Sequence, residues 1–205
     1  MSRETHLDPE QQLEREWALF QSVETGASNS LCRCWQADRP IVVVGRNGLV
    51  AEDVILERCR ADDVRVLRRF SGGGAVVLGP GCLNYAVTLS LVSRPALTNV
   101  AASFQFILER IATALRISGL SIAGGTDLAL RGRKVSGNAQ RRGSRALIHH
   151  GTLLYAFDSR LAIRYLKEPA RQPAYRAARR HEEFIGNIPL SAETIQARLE
   201  AAWRA

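Results

Sequence analysis

The sequence predicts an α+β domain built on a mainly antiparallel β-sheet flanked by helices. Three observations indicate this class. Short strand-like runs are interrupted by helical patterns, helices and strands do not alternate strictly, and the last strand-like runs follow one another as a β-meander. We therefore expect helices packed on the faces of one principal sheet.

Length and composition are those of a folded globular protein. The chain has 205 residues, of which 46% are hydrophobic and 23% are charged. No repeat or linker divides it, so we expect a single domain over residues 1–205. No apolar run approaches the roughly 20 residues needed to cross a bilayer, and the opening MSRETHLDPEQQ has no apolar signal core. These features favour a cytoplasmic protein without a membrane segment.

The first half of the chain predicts two helices and four strands. Asp8 and Pro9 form a helix start, and apolar residues then recur at helical spacing until Gly26. The following elements are strands at 30–36 and 41–45, the second of them central, a helix at 51–63, and strands at 64–69 and 82–91.

The second half predicts one long helix and then the meander. An amphipathic pattern over 97–118 ends at Gly119 and predicts a helix that covers one face of the sheet. Strands are predicted at 127–132, 133–140 and 146–157, with tight turns at Gly132 and Gly143. Short helices follow from residue 161, the last one capped by Ser191.

The chain is strongly basic, with a formal net charge of +8. Such a surplus favours anionic partners, among them nucleic acid, nucleotide phosphates or an acidic protein. Arginine supplies nearly all of it, because Lys134 and Lys167 are the only lysines.

Cysteine and histidine spacing predicts no resident metal site. The four cysteines form no CxxC pair, so neither a disulfide scaffold nor a zinc ribbon is expected. His149 and His150 are adjacent in a predicted strand, where neighbouring side chains point to opposite faces, so they cannot bind one metal together. We expect a structural hydrogen bond from one imidazole.

A run of three glycines, Gly72 to Gly74, follows Arg68 and Arg69 and precedes an apolar segment. Without Cβ atoms, backbone N–H groups can approach a phosphate closely, and the arginines suit an anion. The run matches neither the Walker pattern nor GxGxxG, and a flexible turn or bulge is the alternative interpretation.

A polar strand begins at Lys134 and continues through Ser136, Gly137, Asn138 and Gln140. A cation beside hydrogen-bonding groups and bare backbone is typical of a place where a phosphate or an acyl carbonyl is polarised. Asp127 precedes Lys134 by seven residues and can reach the same pocket across a hairpin. The alternatives are an exposed edge strand for Lys134 and a surface turn for Asp127.

The chain resembles the lipoate-protein ligase A family in four segments and in their order. These segments are RRFSGGGAVV, TDLALRGRKVSGNAQRR, HHGTLL and YRAARRHEEFIGNI. The likeness covers most of residues 9–190. It implies the fold shared with biotin ligases. It also implies that ATP, brought as its Mg²⁺ complex, activates lipoate to lipoyl-adenylate, and that the acyl group passes to a lysine of an acidic lipoyl-domain protein.

The resemblance also assigns residues. Arg69 and the segment Gly74, Ala75, Val76 and Val77 would hold the nucleotide. Lys134 would touch both the phosphate and the acyl oxygen, and Asp127 matches the acidic position of the family's Asn-Asp-Leu stretch. No residue is assigned to a resident metal.

The sequence departs from the family at several positions. Phe70 stands where the family has serine, and Leu78 and Gly79 stand where it often has His-Asp. Thr126 stands where the family has asparagine. The accessory C-terminal domain of two-domain ligases is expected to be absent, so that either a separate protein supplies it or this chain works differently.

Three other functions remain open at this stage. An acyltransferase of the same superfamily would use a cysteine thioester and no ATP, with Cys82 as the candidate, although residues 119–125 lack the cysteine expected there. A family member that binds lipoate but has lost catalysis is the second. An arginine-rich nucleic-acid binder is the third, and it is disfavoured because no helix-turn-helix or RNA-binding signature is present.

Overall fold

The computed structural model describes residues 8–169 and 172–204. The helices are α1 (Pro9–Glu24), α2 (Val50–Asp53), α3 (Leu56–Ala61), α4 (Val100–Leu115), α5 (Arg160–Tyr165), α6 (His181–Phe184) and α7 (Ala192–Trp203). The strands are β1 (Ser30–Gln36), β2 (Ile41–Val44), β3 (Val66–Arg68), β4 (Val76–Leu78), β5 (Cys82–Ser90), β6 (Leu120–Ala123), β7 (Asp127–Leu130), β8 (Arg133–Arg142) and β9 (Ala146–Leu154). Short 3₁₀ helices span Pro95–Thr98 and Ala174–Arg176.

Six strands form one antiparallel sheet in the order β1-β5-β9-β8-β7-β6. Helices α4 and α7 pack on one face, where Ile107 and Leu199 join a buried cluster with Leu83. Helix α1 covers the other face through Phe20, which packs with Ile148. The predicted α+β class and the mainly antiparallel sheet are confirmed.

Helix α1 begins where the sequence predicts. The Asp8 carboxylate accepts a hydrogen bond from the Glu10 backbone N–H at 2.9 Å, and Pro9 occupies the first turn. The Gln11 side chain accepts from the Asp8 N–H in return, which completes a capping box. The helix ends before Gly26, whose φ of +86° suits only glycine without strain.

The long amphipathic segment is one helix with different ends from those predicted. The expected helix over 97–118 is a 3₁₀ turn followed by α4, which starts at the Asn99 side-chain cap. It ends because Arg116 takes a left-handed φ of +51°, three residues before Gly119.

A second sheet of three strands, in the order β3-β2-β4, stands beside the first. Strand β2 is central, as predicted, and all four of its residues are buried. It pairs parallel with β3 and antiparallel with β4. Strand β4 was not predicted, since it has only three residues and directly follows a glycine-rich loop.

Two further predictions are corrected. The expected helix over 51–63 is two short helices, because Val54 leaves the helix to form a β-bridge with Leu166 and is buried there. The sequence predicts no element over residues 119–125, yet they include β6, the edge strand of the large sheet.

The β-meander is confirmed from β7 to β9. The first hairpin turns at Arg131 and Gly132, both with positive φ, as a tight two-residue turn requires. The second hairpin is fastened to α1, because the Glu24 carboxylate accepts hydrogen bonds from the backbone N–H groups of Ser144, Arg145 and Ala146.

The C-terminal segment contains the predicted short helices. Ser191 caps α7 through the Thr194 N–H. Within the described ranges, no helix is both long and apolar enough to cross a membrane.

His149 is a core residue on the α4 face of the large sheet. It is fully buried, its ring lies 5.1 Å from that of Phe104, and its Nδ1 is 3.1 Å from Gln140 Nε2. Burial, and to a lesser degree the neighbouring His150, lowers the pKa of His149 to about 3. The imidazole is therefore neutral in the folded protein at neutral pH.

We expect His149 to make the fold acid-sensitive. An unfolded histidine titrates near pH 6.5, so below that pH the unfolded chain binds a proton that the folded chain takes up only near pH 3. The free energy of unfolding therefore falls as the pH drops through this window, by about 2 kcal/mol at pH 5. Urea unfolding of the wild type and His149→Gln at pH 7.5 and pH 5.0 measures this contribution. An equal pH dependence in both proteins would contradict the assignment.

Candidate functional site

A cavity of about 460 Å³ lies between the two sheets and the C-terminal segment. Its volume is within the range of small-molecule sites, and its wall is mostly apolar with a few convergent polar groups. The polar and charged side chains in the wall are those of Glu16, Arg69, Asn84, Thr126, Asp127, Lys134, Asn138, His150, Thr152, Arg176 and His181. Every residue that the sequence assigned to the nucleotide or to catalysis belongs to this wall.

The glycine loop approaches the end of β2 very closely. A Cβ at Gly45 would lie 1.9 Å from the carbonyl oxygen of Gly73, so only glycine fits there. The Arg46 N–H donates to the Ser71 carbonyl at 2.7 Å, and Gly73 has a φ of +91°. The loop is therefore held in one conformation by backbone contacts.

The Arg69 side chain runs along the inside of this loop and is buried. Its Nε donates to Ser71 Oγ at 3.1 Å, and one Nη donates to the carbonyls of Gly72 and Gly74 at 2.6 and 3.0 Å. Burial lowers the pKa of Arg69 to about 10, which leaves the guanidinium charged at neutral pH. Its observed contacts shape the loop, in addition to the nucleotide contact predicted for it.

Gly74 faces open space. A Cβ built on it meets no atom within 4 Å, and its φ is not in the left-handed region. The next residues, Ala75, Val76 and Val77, line the cavity as the loop enters β4. The absence of a side chain at 74 leaves room for a ligand beside the backbone.

Lys134 and Asp127 meet across the β7–β8 hairpin. Lys134 Nζ lies 2.9 Å from Asp127 Oδ1, and the lysine side chain is 31% exposed while the aspartate side chain is 6% exposed. The pairing register shifts at this point, because Ala129 faces Lys134 while Leu128 faces Ser136. This β-bulge turns Lys134 to the same face as position 137.

Glycine at 137 leaves room for the lysine in that arrangement. A Cβ there would lie 2.9 Å from Lys134 Cε and 3.0 Å from its Nζ. The sequence identified Gly137 as bare backbone near a charge, and the structure shows that the bare position makes room for the lysine itself.

Asp127 has a second partner that sequence reasoning missed. The Tyr175 hydroxyl donates to Asp127 Oδ2 at 2.7 Å. Burial and the adjacent carboxylate raise the pKa of Tyr175, which keeps it a hydrogen-bond donor. Both carboxylate oxygens of Asp127 are therefore engaged by side chains of this chain.

A buried polar relay forms another part of the wall, and only His150 of its members had been considered. Glu16 accepts from Trp35 Nε1 at 2.8 Å and from His150 Nδ1 at 2.6 Å. The other ring nitrogen of His150 is 2.5 Å from Ser71 Oγ. In the tautomer that donates from His150 Nδ1 to Glu16, His150 Nε2 accepts from the Ser71 hydroxyl.

The two adjacent histidines face opposite sides of the sheet, as predicted. His149 contacts α4 and His150 contacts α1 through Glu16. Among residues 8–169 and 172–204, no three His, Cys, Asp or Glu side chains are grouped closely enough to bind a metal ion.

The C-terminal wall is built from the segment between α5 and the end of α6. Arg176 is buried, pairs with Glu168, and stacks its guanidinium 4.8 Å from the ring centre of Phe184. His181 is buried beside it. The motif YRAARRHEEF contained these residues, but sequence alone gave no local signal that they face the Lys134 site.

The residues that depart from the family have separate locations. Phe70 packs its ring 5.2 Å from Trp17 and 5.3 Å from His150, outside the cavity wall. Leu78 and Thr126 are part of the wall. Phenylalanine in place of the family's serine at position 70 therefore affects the packing on α1 and places no new group in the cavity.

A family model described as the lipoyl protein ligase A/B catalytic domain matches residues 8–197. The chain is 31% identical over 156 residues to the lipoate-protein ligase LplJ of Bacillus subtilis, covering 75% of this chain and 39% of that protein. It is 32% identical over 142 residues to a putative lipoate-protein ligase A of Aeropyrum pernix, covering 68% and 51%. The matched part of the chain thus spans 39% and 51% of the length of these two relatives.

Solved structures agree in fold. The bi-partite lipoate protein ligase of Thermoplasma acidophilum, solved in a study that includes its E2 lipoyl domain, superposes with a TM-score of 0.76 at 22% identity, covering 93% of this chain and 76% of that one. A lipoate-protein ligase A bound with ATP gives 0.75 at 23% identity, covering 93% and 77%. A T. acidophilum structure with bound lipoic acid gives 0.78 at 21% identity, covering 95% and 79%.

The motifs, the six-stranded antiparallel sheet and the match over residues 8–197 lead to one assignment. The chain belongs to the lipoyl protein ligase A/B catalytic-domain family.

Proposed function

We propose that this domain activates lipoate, or the related octanoate, with ATP to an acyl-adenylate and transfers the acyl group to a lysine of a lipoyl-domain protein. One observation carries the proposal. A single cavity joins an open glycine loop to a lysine held by a buried aspartate, Lys134 with Asp127. Structural neighbours that contain ATP and lipoic acid share the fold that builds this cavity.

Adenylation needs positive charge where an anhydride forms. The acyl carboxylate oxygen bonds to the α-phosphorus of ATP, and the bond from that phosphorus to the pyrophosphate leaving group breaks. Lys134 supplies a cation on a partly exposed side chain, and Asp127 fixes its direction. A charge positioned in advance in a mostly apolar cavity stabilises the transition state without reorganisation during the reaction.

The nucleotide would lie along the glycine loop. The loop offers backbone at Gly74 without a side chain, and Arg69 holds the carbonyls of Gly72 and Gly74 by hydrogen bonds. Mg²⁺ arrives as MgATP, for which phosphate oxygens and water supply most ligands. In the described part of the chain no carboxylate cluster replaces them.

We further propose an acidic lipoyl domain as acceptor and a separate accessory protein as partner. The formal charge of +8 favours an acidic acceptor. The lipoate-protein ligase A subunit 1 of Thermoplasma acidophilum is 25% identical over 183 residues, and the chain covers 68% of it. The T. acidophilum ligase of similar fold is described as bi-partite.

The cysteine-dependent transferase is the weaker alternative. All four cysteines lie in the described part of the chain, and none lines the cavity. Cys82 is fully buried, and burial raises its pKa to about 12, whereas a thioester-forming cysteine must be available as thiolate.

The experiment that tests the proposal is lipoate-dependent exchange of labelled pyrophosphate into ATP by the purified chain with Mg²⁺, repeated with octanoate. Exchange that requires the acid supports adenylation. Its absence with both acids, alone and with an accessory protein, would favour the transferase or a protein that binds lipoate without catalysis.

Replacing Lys134 with alanine is expected to lower the exchange rate by at least about 100-fold, because it removes the cation that balances charge in the transition state. Lys167→Ala is the matched control, since the other lysine is exposed and its Nζ donates to the Ala51 carbonyl outside the cavity. Circular dichroism checks that both variants fold. Near-normal exchange in Lys134→Ala would remove Lys134 from the mechanism.

A graded series at Gly74 tests the glycine loop. Because a Cβ there meets open space, Gly74→Ala and Gly74→Val should keep the thermal stability of the wild type. ATP affinity should fall from glycine to alanine to valine as the side chain fills the space beside the backbone. Calorimetric titration with MgATP measures this. Equal affinity in all three proteins would place the nucleotide elsewhere.

Cys82→Ala separates the two enzymatic mechanisms. We expect pyrophosphate exchange and acyl transfer to stay at the wild-type level, because a thiol with a pKa near 12 takes no part in either reaction. Loss of transfer in a variant that still folds, measured by mass spectrometry of the acceptor, would favour the thioester route.

A further inference from the structure

Transfer of the acyl group raises a chemical requirement that Lys134 does not meet. The acceptor lysine enters as an ammonium ion, and its nitrogen must lose protons to form the amide. Lys134 is itself a cation and cannot accept one. A basic lone pair in the cavity is needed, and this requirement rests on the proposed function.

The two carboxylates of the wall are already engaged. Asp127 accepts from Lys134 at one oxygen and from Tyr175 at the other. Glu16 accepts from Trp35 and His150. Each carboxylate thus already accepts hydrogen bonds from two donors of this chain.

The ring nitrogens of His150 are engaged as well, by Glu16 and Ser71. His181 is different. It is 7% exposed, it lines the cavity, and its Nε2 is a buried atom without a hydrogen-bond partner within the described ranges. The nearest carboxylate oxygen, on Glu168, is 3.8 Å away, which is too long for a hydrogen bond.

The fold ties His181 to the strand that carries Lys134. Helix α6 ends at Phe184, and the next residue, Ile185, forms a parallel β-bridge with Lys134. The Gly186 N–H donates to the Lys134 carbonyl at 2.8 Å, and the Arg133 guanidinium donates to the Ile185 carbonyl. The position of His181 is therefore set relative to Lys134 by backbone contacts.

We propose that His181 Nε2 is the proton acceptor for the attacking amine in the transfer step. The amine nitrogen forms a bond to the acyl carbon, and the bond from that carbon to the adenylate oxygen breaks. AMP leaves with the electron pair of that bond. His181 Nε2 accepts the first of the two protons that the ammonium loses, which frees the nitrogen lone pair for the attack. The second proton passes from the nitrogen to water when AMP departs.

The electrostatic surroundings suit this role. Burial is the main cause that lowers the pKa of His181, and Arg176 and Lys134 lower it further. Glu168 and the Lys167 backbone act in the opposite direction. The net effect keeps the imidazole neutral at neutral pH, with a lone pair available for a proton.

The test separates the two half-reactions in His181→Gln. Adenylate formation is followed by pyrophosphate exchange, and transfer by single-turnover reaction of octanoyl-adenylate with a purified apo lipoyl domain. We expect exchange close to the wild-type rate and transfer reduced by about 100-fold or more. Exchange in the same sample also shows that the variant is folded.

Two controls distinguish proton transfer from a merely structural role. In His181→Ala, added imidazole should restore part of the transfer rate. Hydroxylamine, which is uncharged at neutral pH, should react with the bound adenylate at similar rates in wild type and variants. In the wild type the transfer rate should rise with pH as His181 loses its proton. The variants should lack this rise in rate.

Each other outcome overturns the inference. Unchanged transfer in His181→Gln, an equal loss in both half-reactions, or no rescue by imidazole would each remove His181 as the proton acceptor. If the wild type itself shows neither exchange nor transfer, the proposed function fails, and this result is visible before any variant is made.

Discussion

The Lys134–Asp127 ion pair is the interaction on which the candidate site depends. Asp127 is almost fully buried, and a buried carboxylate without a cation and donors costs several kcal/mol. The β-bulge turns Lys134 toward it, and glycine at 137 leaves room for the lysine side chain. The remaining oxygen is taken by Tyr175. One buried charge thus fixes the hairpin, its bulge and the C-terminal wall together.

Some of the arginines counted in the net charge are buried in the fold. The buried Arg69 donates to the carbonyls of Gly72 and Gly74 in the glycine loop. Arg176 is buried against Glu168. These guanidinium groups satisfy backbone carbonyls in segments that form no regular ladder. The formal charge of +8 therefore overstates the charge that the surface offers to an acidic partner.

Local signals explain which parts of the fold were predictable. The caps at Asp8 and Ser191 and the glycine turn at 132 depend on neighbouring residues and were read correctly. The break in the helix over 51–63 was not, because Val54 is drawn out of the helix by a bridge to Leu166. Strands β4 and β6 are short, and their pairing partners lie elsewhere in the chain.

The candidate site likewise contains some contacts that the sequence indicates and others that it does not. Lys134 and Asp127 lie in one hairpin, so their spacing indicated that Asp127 can reach the pocket of Lys134, where the two side chains form an ion pair. His150 and Glu16 are 134 residues apart, and Ser71 and His150 are 79 residues apart. No local pattern indicates such contacts, since they exist only once α1, the glycine loop and β9 are packed together. The polar relay therefore couples the conformation of the loop to the docking of α1. A ligand that binds the ordered loop stabilises that docking by mass action, so ligand binding and packing of the first helix form one linked equilibrium.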